Sequence, residues 1–250
     1  MDDNNENNNN IINENEIYFK NFKIENIQNI TSLKCNKGDI NCLKTLDDGR
    51  LAAGDDNSNL IIYNKQTFNP DIIIQNNLKE LLNFTQLKNK NIASSFKKDF
   101  TLKIIKIKNN NEYENIQIIK NAHNDWINNI IELKNENIMT FSSDCRFKIW
   151  KLNNNQYENI KKFKDSNFLS DGLEIKDNEI ILYALYTKPQ SLVFYNLIKN
   201  EKIKTLNNLN LAIGSVNRII KLNDNEVIRI TFYILRFKFN AIAYIRLNFI

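Results

Sequence analysis

The chain has little of what most enzymes and most secreted proteins rely on. Its 250 residues include five Gly, two Pro, three Cys and one His. The glycines are isolated, so no Gly-rich loop is available to cradle a phosphate. Cys35, Cys42 and Cys145 are an odd, widely spaced set, which points away from a disulfide framework and toward a reducing cytosol. A lone His with unclustered Cys also argues against a protein-held transition metal, and no cofactor is expected. Long apolar runs are missing as well. Met1 to Asn10 has no apolar core of a secretory signal. The apolar stretch from Val227 to Ile250 is broken by Arg229, Arg236, Lys238 and Arg246, well short of the ~18 uninterrupted residues a membrane helix needs. No membrane association is expected. The net charge of +5 comes from Lys residues scattered singly, the pattern of a solvated mixed surface, so no nucleic-acid partner is expected.

What the chain does have is spacing. With 42% hydrophobic residues it can bury a substantial core. A short pattern recurs: one apolar residue, four polar or turn-forming residues, then an apolar residue that opens a β-rich run. Its copies begin at Leu46, Leu87, Leu133, Ile175 and Leu222, which are 41, 46, 42 and 47 residues apart. That straddles the ~40 to 45 residue period of four-stranded propeller blades, and ankyrin and TPR periods are shorter. A second echo, Asn109 to Ile116 returning as Asn153 to Ile160, keeps the register. Runs such as Ile127 to Leu133 and Ile138 to Ser142 are β-branched and apolar, so each pattern reads as a hairpin turn between strands. Apolar residues on both sides of most strands imply sheets covered on both faces. The fold class is therefore all-β, with blades starting near Asn41, Leu81, Ile127, Leu169 and Val216 and no long helix between residues 40 and 210. With so few glycines, the turns must rely on Asn and Asp, the non-Gly residues that best tolerate left-handed backbone.

The third repeat reads Ala122-His123-Asn124-Asp125-Trp126-Ile127, then Ile138-Met139-Thr140-Phe141-Ser142-Ser143-Asp144-Cys145-Arg146-Phe147-Lys148-Ile149-Trp150. This resembles the WD40-repeat (G-beta-like) β-propeller family, with Ala122 at the family's Gly and Lys151 at its final Asp. Weaker copies follow the same pattern: Leu51 to Tyr63 with Tyr63 at the Trp position, Ile92 to Ile107, and Leu192 to Asn196. The resemblance implies a WD40-type propeller of about five recognisable four-stranded blades, incompletely or irregularly closed. It would occupy residues 17–250, with 231–250 an atypical last blade or tail and 1–16 a disordered Asn-rich segment. It also implies a buried hydrogen-bond network of His123, a Thr140 or Ser142 hydroxyl, Asp144 and the Trp150 indole. Ser, His and Asp are also the members of a nucleophilic triad, but no Ser lies in a strand-to-helix turn and no oxyanion loop accompanies it.

The function that follows is non-enzymatic: a cytoplasmic or nuclear scaffold for protein-protein contacts, a subunit of a larger assembly with no catalytic or metal-binding residues. By the family's geometry Asp125, Trp126, Arg146, Lys98 and Phe100 share one partner-binding surface, and Trp, Phe and Arg are the types enriched in binding hot spots. One alternative is a fragment of a longer WD40 protein without independent function, since seven blades at ~44 residues would need about 308. Another is a propeller enzyme. Ring closure is expected to pair the strand near Ile27 to Leu33 with the C-terminal blade, and an open edge would promote self-association.

Overall fold

A computed structural model describes residues 17–20, 39–75, 80–97, 99–108, 112–186, 191–207, 216–223, 226–231 and 242–246. These residues form strands, turns and loops, with no helix among them. After β1 (Ile17–Lys20), four consecutive hairpin-linked sheets follow. Sheet 1 comprises β2 (Ile40–Thr45), β3 (Leu51–Asp55), β4 (Asn59–Tyr63) and β5 (Pro70–Gln75). Sheet 2 comprises β6 (Leu81–Gln86), β7 (Ile92–Phe96), β8 (Leu102–Ile107) and β9 (Tyr113–Ile119). Sheet 3 comprises β10 (Ile127–Glu132), β11 (Ile138–Ser142), β12 (Arg146–Asn153) and β13 (Gln156–Lys164). Sheet 4 comprises β14 (Leu169–Lys176), β15 (Ile180–Leu185), β16 (Ser191–Asn196) and β17 (Glu201–Leu206). Sheet 5 joins both ends of the chain in the order β1, β20 (Ile242–Arg246), β19 (Glu226–Thr231), β18 (Val216–Asn223). Every pairing is antiparallel. First strands begin at Ile40, Leu81, Ile127, Leu169 and Val216, within one residue of the starts read from the repeat.

The sheets pack face to face in chain order. β2 lies beside β6, β6 beside β10, β10 beside β14, and β14 beside β18. A cavity of about 720 Å³ is lined by one strand of every sheet, through residues including Cys42, Thr85, Asn129, Asp171 and Ile219. Strands β4, β7, β11 and β16 are buried along their whole length, and β3 in all but its first residue, as strands sandwiched between neighbouring sheets must be. The outer strands β13 and β17 are mostly exposed and rich in Lys, which discourages edge-to-edge pairing. An aromatic group fills the layer between sheets 3 and 4. Phe147 stacks on Phe163 at 4.5 Å and meets Tyr183 and Tyr195 at 5.4 and 5.2 Å.

The hairpin turns show why the repeat has its form. In the first three, the amide of the fourth residue donates to the carbonyl of the leading Leu: Gly49 to Leu46, Lys90 to Leu87, Glu136 to Leu133. That fourth residue is left-handed, with φ of 83° at Gly49, 68° at Lys90 and 66° at Glu136. The expectation that Asn and Asp supply these left-handed positions therefore fails in two turns. Asp48, Asn89 and Asn135 stand one residue earlier, where each side-chain oxygen accepts the amide two residues on. Asn does take left-handed backbone at Asn154 and Asn155, in the two-residue turn between β12 and β13.

The expected pairing of the strand near Ile27 to Leu33 with the C-terminal blade falls outside the described residues. Among the described residues, β1 pairs with β20, with Ile17 opposite Ile245 and Lys20 opposite Ile242. Within 231–250, β20 is the third strand of a four-stranded sheet.

Candidate functional site

The end of the molecule where the first strands begin carries Phe100, His123, Asp125, Trp126, Ser142, Asp144 and Arg146, with Thr140 further along β11 and Trp150 opposite Ile138 toward the other end of sheet 3; Lys98 lies outside the described residues. His123 sits four residues before β10, fully buried. Its Nδ1 is 3.1 Å from both carboxylate oxygens of Asp144, and its Nε2 is 2.7 Å from Thr140 Oγ1. The Trp150 indole N–H donates to the same Thr140 oxygen at 2.9 Å. A carboxylate only accepts, so Nδ1 carries the proton, Nε2 accepts from the Thr140 hydroxyl, and that hydroxyl accepts from the indole. Each polar atom of the chain His123, Asp144, Thr140, Trp150 thus has a partner of the right sense.

Ser142 is placed differently from Thr140. Its hydroxyl donates to the Asp125 carbonyl at 3.2 Å and accepts the Asp144 amide at 3.0 Å, so it supports the loop rather than touching the imidazole. Burial pushes the His123 pKa below its usual value, partly opposed by the Asp144 carboxylate, and leaves a neutral imidazole. Burial acts to raise the Asp144 pKa, but hydrogen bonds from His123 and the Asn124 amide outweigh it and hold it at about 2.

Around this buried chain lies an exposed rim. Trp126 is 42% exposed, with the Lys97 ammonium 5.0 Å from its ring centre, a cation over an aromatic face. Arg146 is half-buried; its guanidinium donates to the Asp144 carbonyl. Asp125 is half-buried and its carboxylate accepts the Trp126 amide. Phe100 is half-buried and left-handed at φ 46°, and its carbonyl accepts the His123 amide at 3.4 Å, which brings the loop of sheet 2 against that of sheet 3.

Two aromatic residues that sequence reasoning missed complete the rim. Phe168 is 51% exposed and Tyr186 54%. Sheets 1 to 4 each fasten this end with one backbone bond from the residue after the second strand to the residue before the first. The donors and acceptors are Asp56 to Asp39, Lys97 to Glu80, Ser143 to Trp126, and Tyr186 to Phe168. Phe168 is thus the register equivalent of Trp126, 42 residues later, and that spacing was available in the sequence. The Asn128 side chain ties the two sheets here, donating to Ser143 Oγ at 2.8 Å and to the Leu169 carbonyl at 2.7 Å. Trp126, Phe168 and Tyr186 therefore lie along adjacent sheets at one end of the molecule.

Among the described residues no cluster of His, Cys, Asp or Glu has the arrangement of a metal site, and no helix is long and apolar enough to cross a membrane. Neither a family model nor a curated protein sequence matches the chain.

Proposed function

We propose that the chain is a WD40-type propeller that works as a protein-docking platform, with the rim of Trp126, Phe168 and Tyr186 as its contact face. The observation that carries this reading is the exposure of Trp126 and Phe168 at repeat-equivalent loop positions of two adjacent sheets, with exposed Tyr186 bonded to Phe168 beside them. Tyr and Trp offer large contact area at low conformational cost and dominate binding hot spots. The backbone beneath them is held by the Asn128 and Ser143 bonds, so the face is pre-formed and binding incurs little ordering cost. Propeller geometry is supported by the chain-order packing of four-stranded sheets around a cavity lined by all five. A structural rather than catalytic role for His123 is supported by its bonding, since both ring nitrogens are already engaged.

The test compares two double variants in quantitative co-purification from the source cell. Trp126→Ser with Phe168→Ser is expected to lose partners at least tenfold with an unchanged melting temperature. Ile160→Ser with Ile203→Ser, exposed on the outer strands of sheets 3 and 4, is expected to keep them. Equal retention by both variants would contradict the reading.

A further inference from the structure

Building on the docking role proposed above, we infer that the face is made for an acidic partner: a short segment whose apolar side chains sit against Trp126 and Phe168 while its carboxylates meet Arg146 and Lys164. The first observation is how the rim changes from sheet to sheet. The two residues joined by the fastening backbone bond are Asp56 and Asp39 in sheet 1 and Lys97 and Glu80 in sheet 2. They are Ser143 and Trp126 in sheet 3, and Tyr186 and Phe168 in sheet 4. At these positions sheet 1 offers two carboxylates and sheet 2 an ion pair, with the Lys97 ammonium 2.5 Å from Glu80 Oε2. Sheets 3 and 4 offer aromatic surface. Like charge at the sheet 1 end turns an acidic segment away, and the aromatic end accepts it.

The second observation is the placement of charge in sheets 3 and 4, where negative charge is held inside and positive charge outside. The Asp144 side chain is 4% exposed, and that of Arg146, 3.8 Å from its carboxylate, is 32% exposed. The Asp165 side chain is fully buried, and that of Lys202, 2.9 Å away, is 43% exposed. Both carboxylates turn inward, Asp144 to His123 and Asp165 to the Tyr183 hydroxyl. Lys164 is exposed and stands opposite Arg146 in the ladder of β12 and β13. Asp125 is half-buried, and its carboxylate accepts the Trp126 amide. The sequence joining β15 to β16 and β17 to β18 adds no Asp or Glu. The charge that a partner meets beside the aromatic rings is therefore positive, which steers carboxylates toward this end.

Strand order sets how such a segment lies. Sheet 3 runs β10, β11, β12, β13 outward from the cavity. Trp126 precedes β10, whereas Arg146 opens β12 and Lys164 closes β13. Apolar anchors therefore belong on the inner line from Trp126 to Phe168, and carboxylates two or three strands further out. At ~4.8 Å between strands and ~3.3 Å per residue of extended peptide, they fall about three or four residues from the anchor. A single-stranded nucleic acid would stack on the same rings, but its regular phosphates require cations along the whole track. Here Asp39 and Asp56 stand on the same rim, which favours a peptide.

Selection of short random peptides displayed on phage, against the full chain, tests this. The wild-type chain is expected to enrich apolar or aromatic anchors with Asp or Glu about three or four residues away. Arg146→Gln with Lys164→Glu is expected to bind the selected peptides about tenfold more weakly, and added salt should weaken binding to the wild type. Lys164→Glu alone, at an exposed position, gives the same direction of change should the double variant melt early. Enriched peptides without acidic residues, or equal affinity of the wild type and the charge variants, would overturn the acidic partner. If Trp126→Ser with Phe168→Ser still loses those peptides, the docking face itself stands. Peptides that bind this aromatic double variant as well as the wild type overturn the face, and with it the partner. Failure of the wild type to enrich any peptide does the same. Displacement of the peptides by an equal concentration of single-stranded oligouridine assigns the face to nucleic acid and also overturns the inference.

Discussion

Sheets 3 and 4 solve the same problem with different chemistry. In sheet 3 a loop residue four positions before the first strand, His123, bonds a hydroxyl on the second strand, Thr140, which Trp150 on the third strand also bonds. In sheet 4 the residue four positions before the first strand is Asp165, and the residues in register with Thr140 and Trp150 are Tyr183 and Tyr195. Tyr183 O–H donates to Asp165 Oδ2 at 2.6 Å, and the Lys202 ammonium lies 2.9 Å from the same oxygen. One sheet thus uses a neutral imidazole and the other a buried carboxylate with a cation. Burial acts to raise the Asp165 pKa, but its bonds from Tyr183 and Lys202 outweigh this and keep it below the usual carboxylate range. Burial together with the Asp165 charge drives the Tyr183 pKa upward, so its proton stays in place. The loop-to-second-strand bond is the shared requirement of the two sheets, and the residue types that make it are interchangeable.

Substitutions sharpen this contrast, beginning with the ring the two sheets share. Phe147→Ala removes a buried ring in contact with Phe163, Tyr183 and Tyr195, and is expected to cost about 3–5 kcal/mol in chemical unfolding. Thr140→Val keeps the shape but strips His123 Nε2 and the Trp150 indole of their common partner. The expected loss is about 1–3 kcal/mol. Tyr183→Phe in sheet 4 should cost less, about 1.5 kcal/mol, because Asp165 keeps Lys202 and the Ser166 amide. If Tyr183→Phe proves neutral, the Asp165 arrangement is not the counterpart of the His123 chain.

The smallest effect is a pH dependence belonging to sheet 3 alone. His123 is the chain's only histidine, and its folded pKa lies below the ordinary 6.5. The unfolded chain therefore takes up a proton more readily, so the contribution is intact above pH 6.5 and is lost as the pH falls below it. Melting followed from pH 8 to pH 5 should show this decline, at no more than ~1.4 kcal/mol per pH unit for one proton. His123→Asn should abolish the slope. A slope that survives the substitution would assign the titration elsewhere.

Much of this was legible in the sequence, and the failures have identifiable physical causes. The hairpin turns were readable because an apolar residue, an Asx cap and a second apolar residue recur at fixed spacing. The third repeat was readable because His123, Asp144 and Trp150 all kept the residue types of the pattern. The fourth repeat was hidden twice over. Its chemistry had changed to Asp165, Tyr183 and Tyr195, and a bulge between Glu174 and Lys176 shifts the second strand by one residue relative to the turn. The left-handed backbone at Lys90 and Glu136 was invisible because the cap at Asn89 and Asn135 does the work that was expected of the Asn conformation itself. Phe168 and Tyr186 went unnoticed because their exposure depends on the sheets beside them, although the 42-residue spacing from Trp126 was there to be followed.

The central claim, that Trp126, Phe168 and Tyr186 form the docking face, is tested most directly by oxidative footprinting of the chain, first alone and then within its native assembly. All three side chains should be modified readily in the isolated chain and protected in the assembly, with Ile160 and Ile203 reacting equally in both. Protection of Ile160 and Ile203 with unchanged reactivity at the three aromatic residues would contradict it.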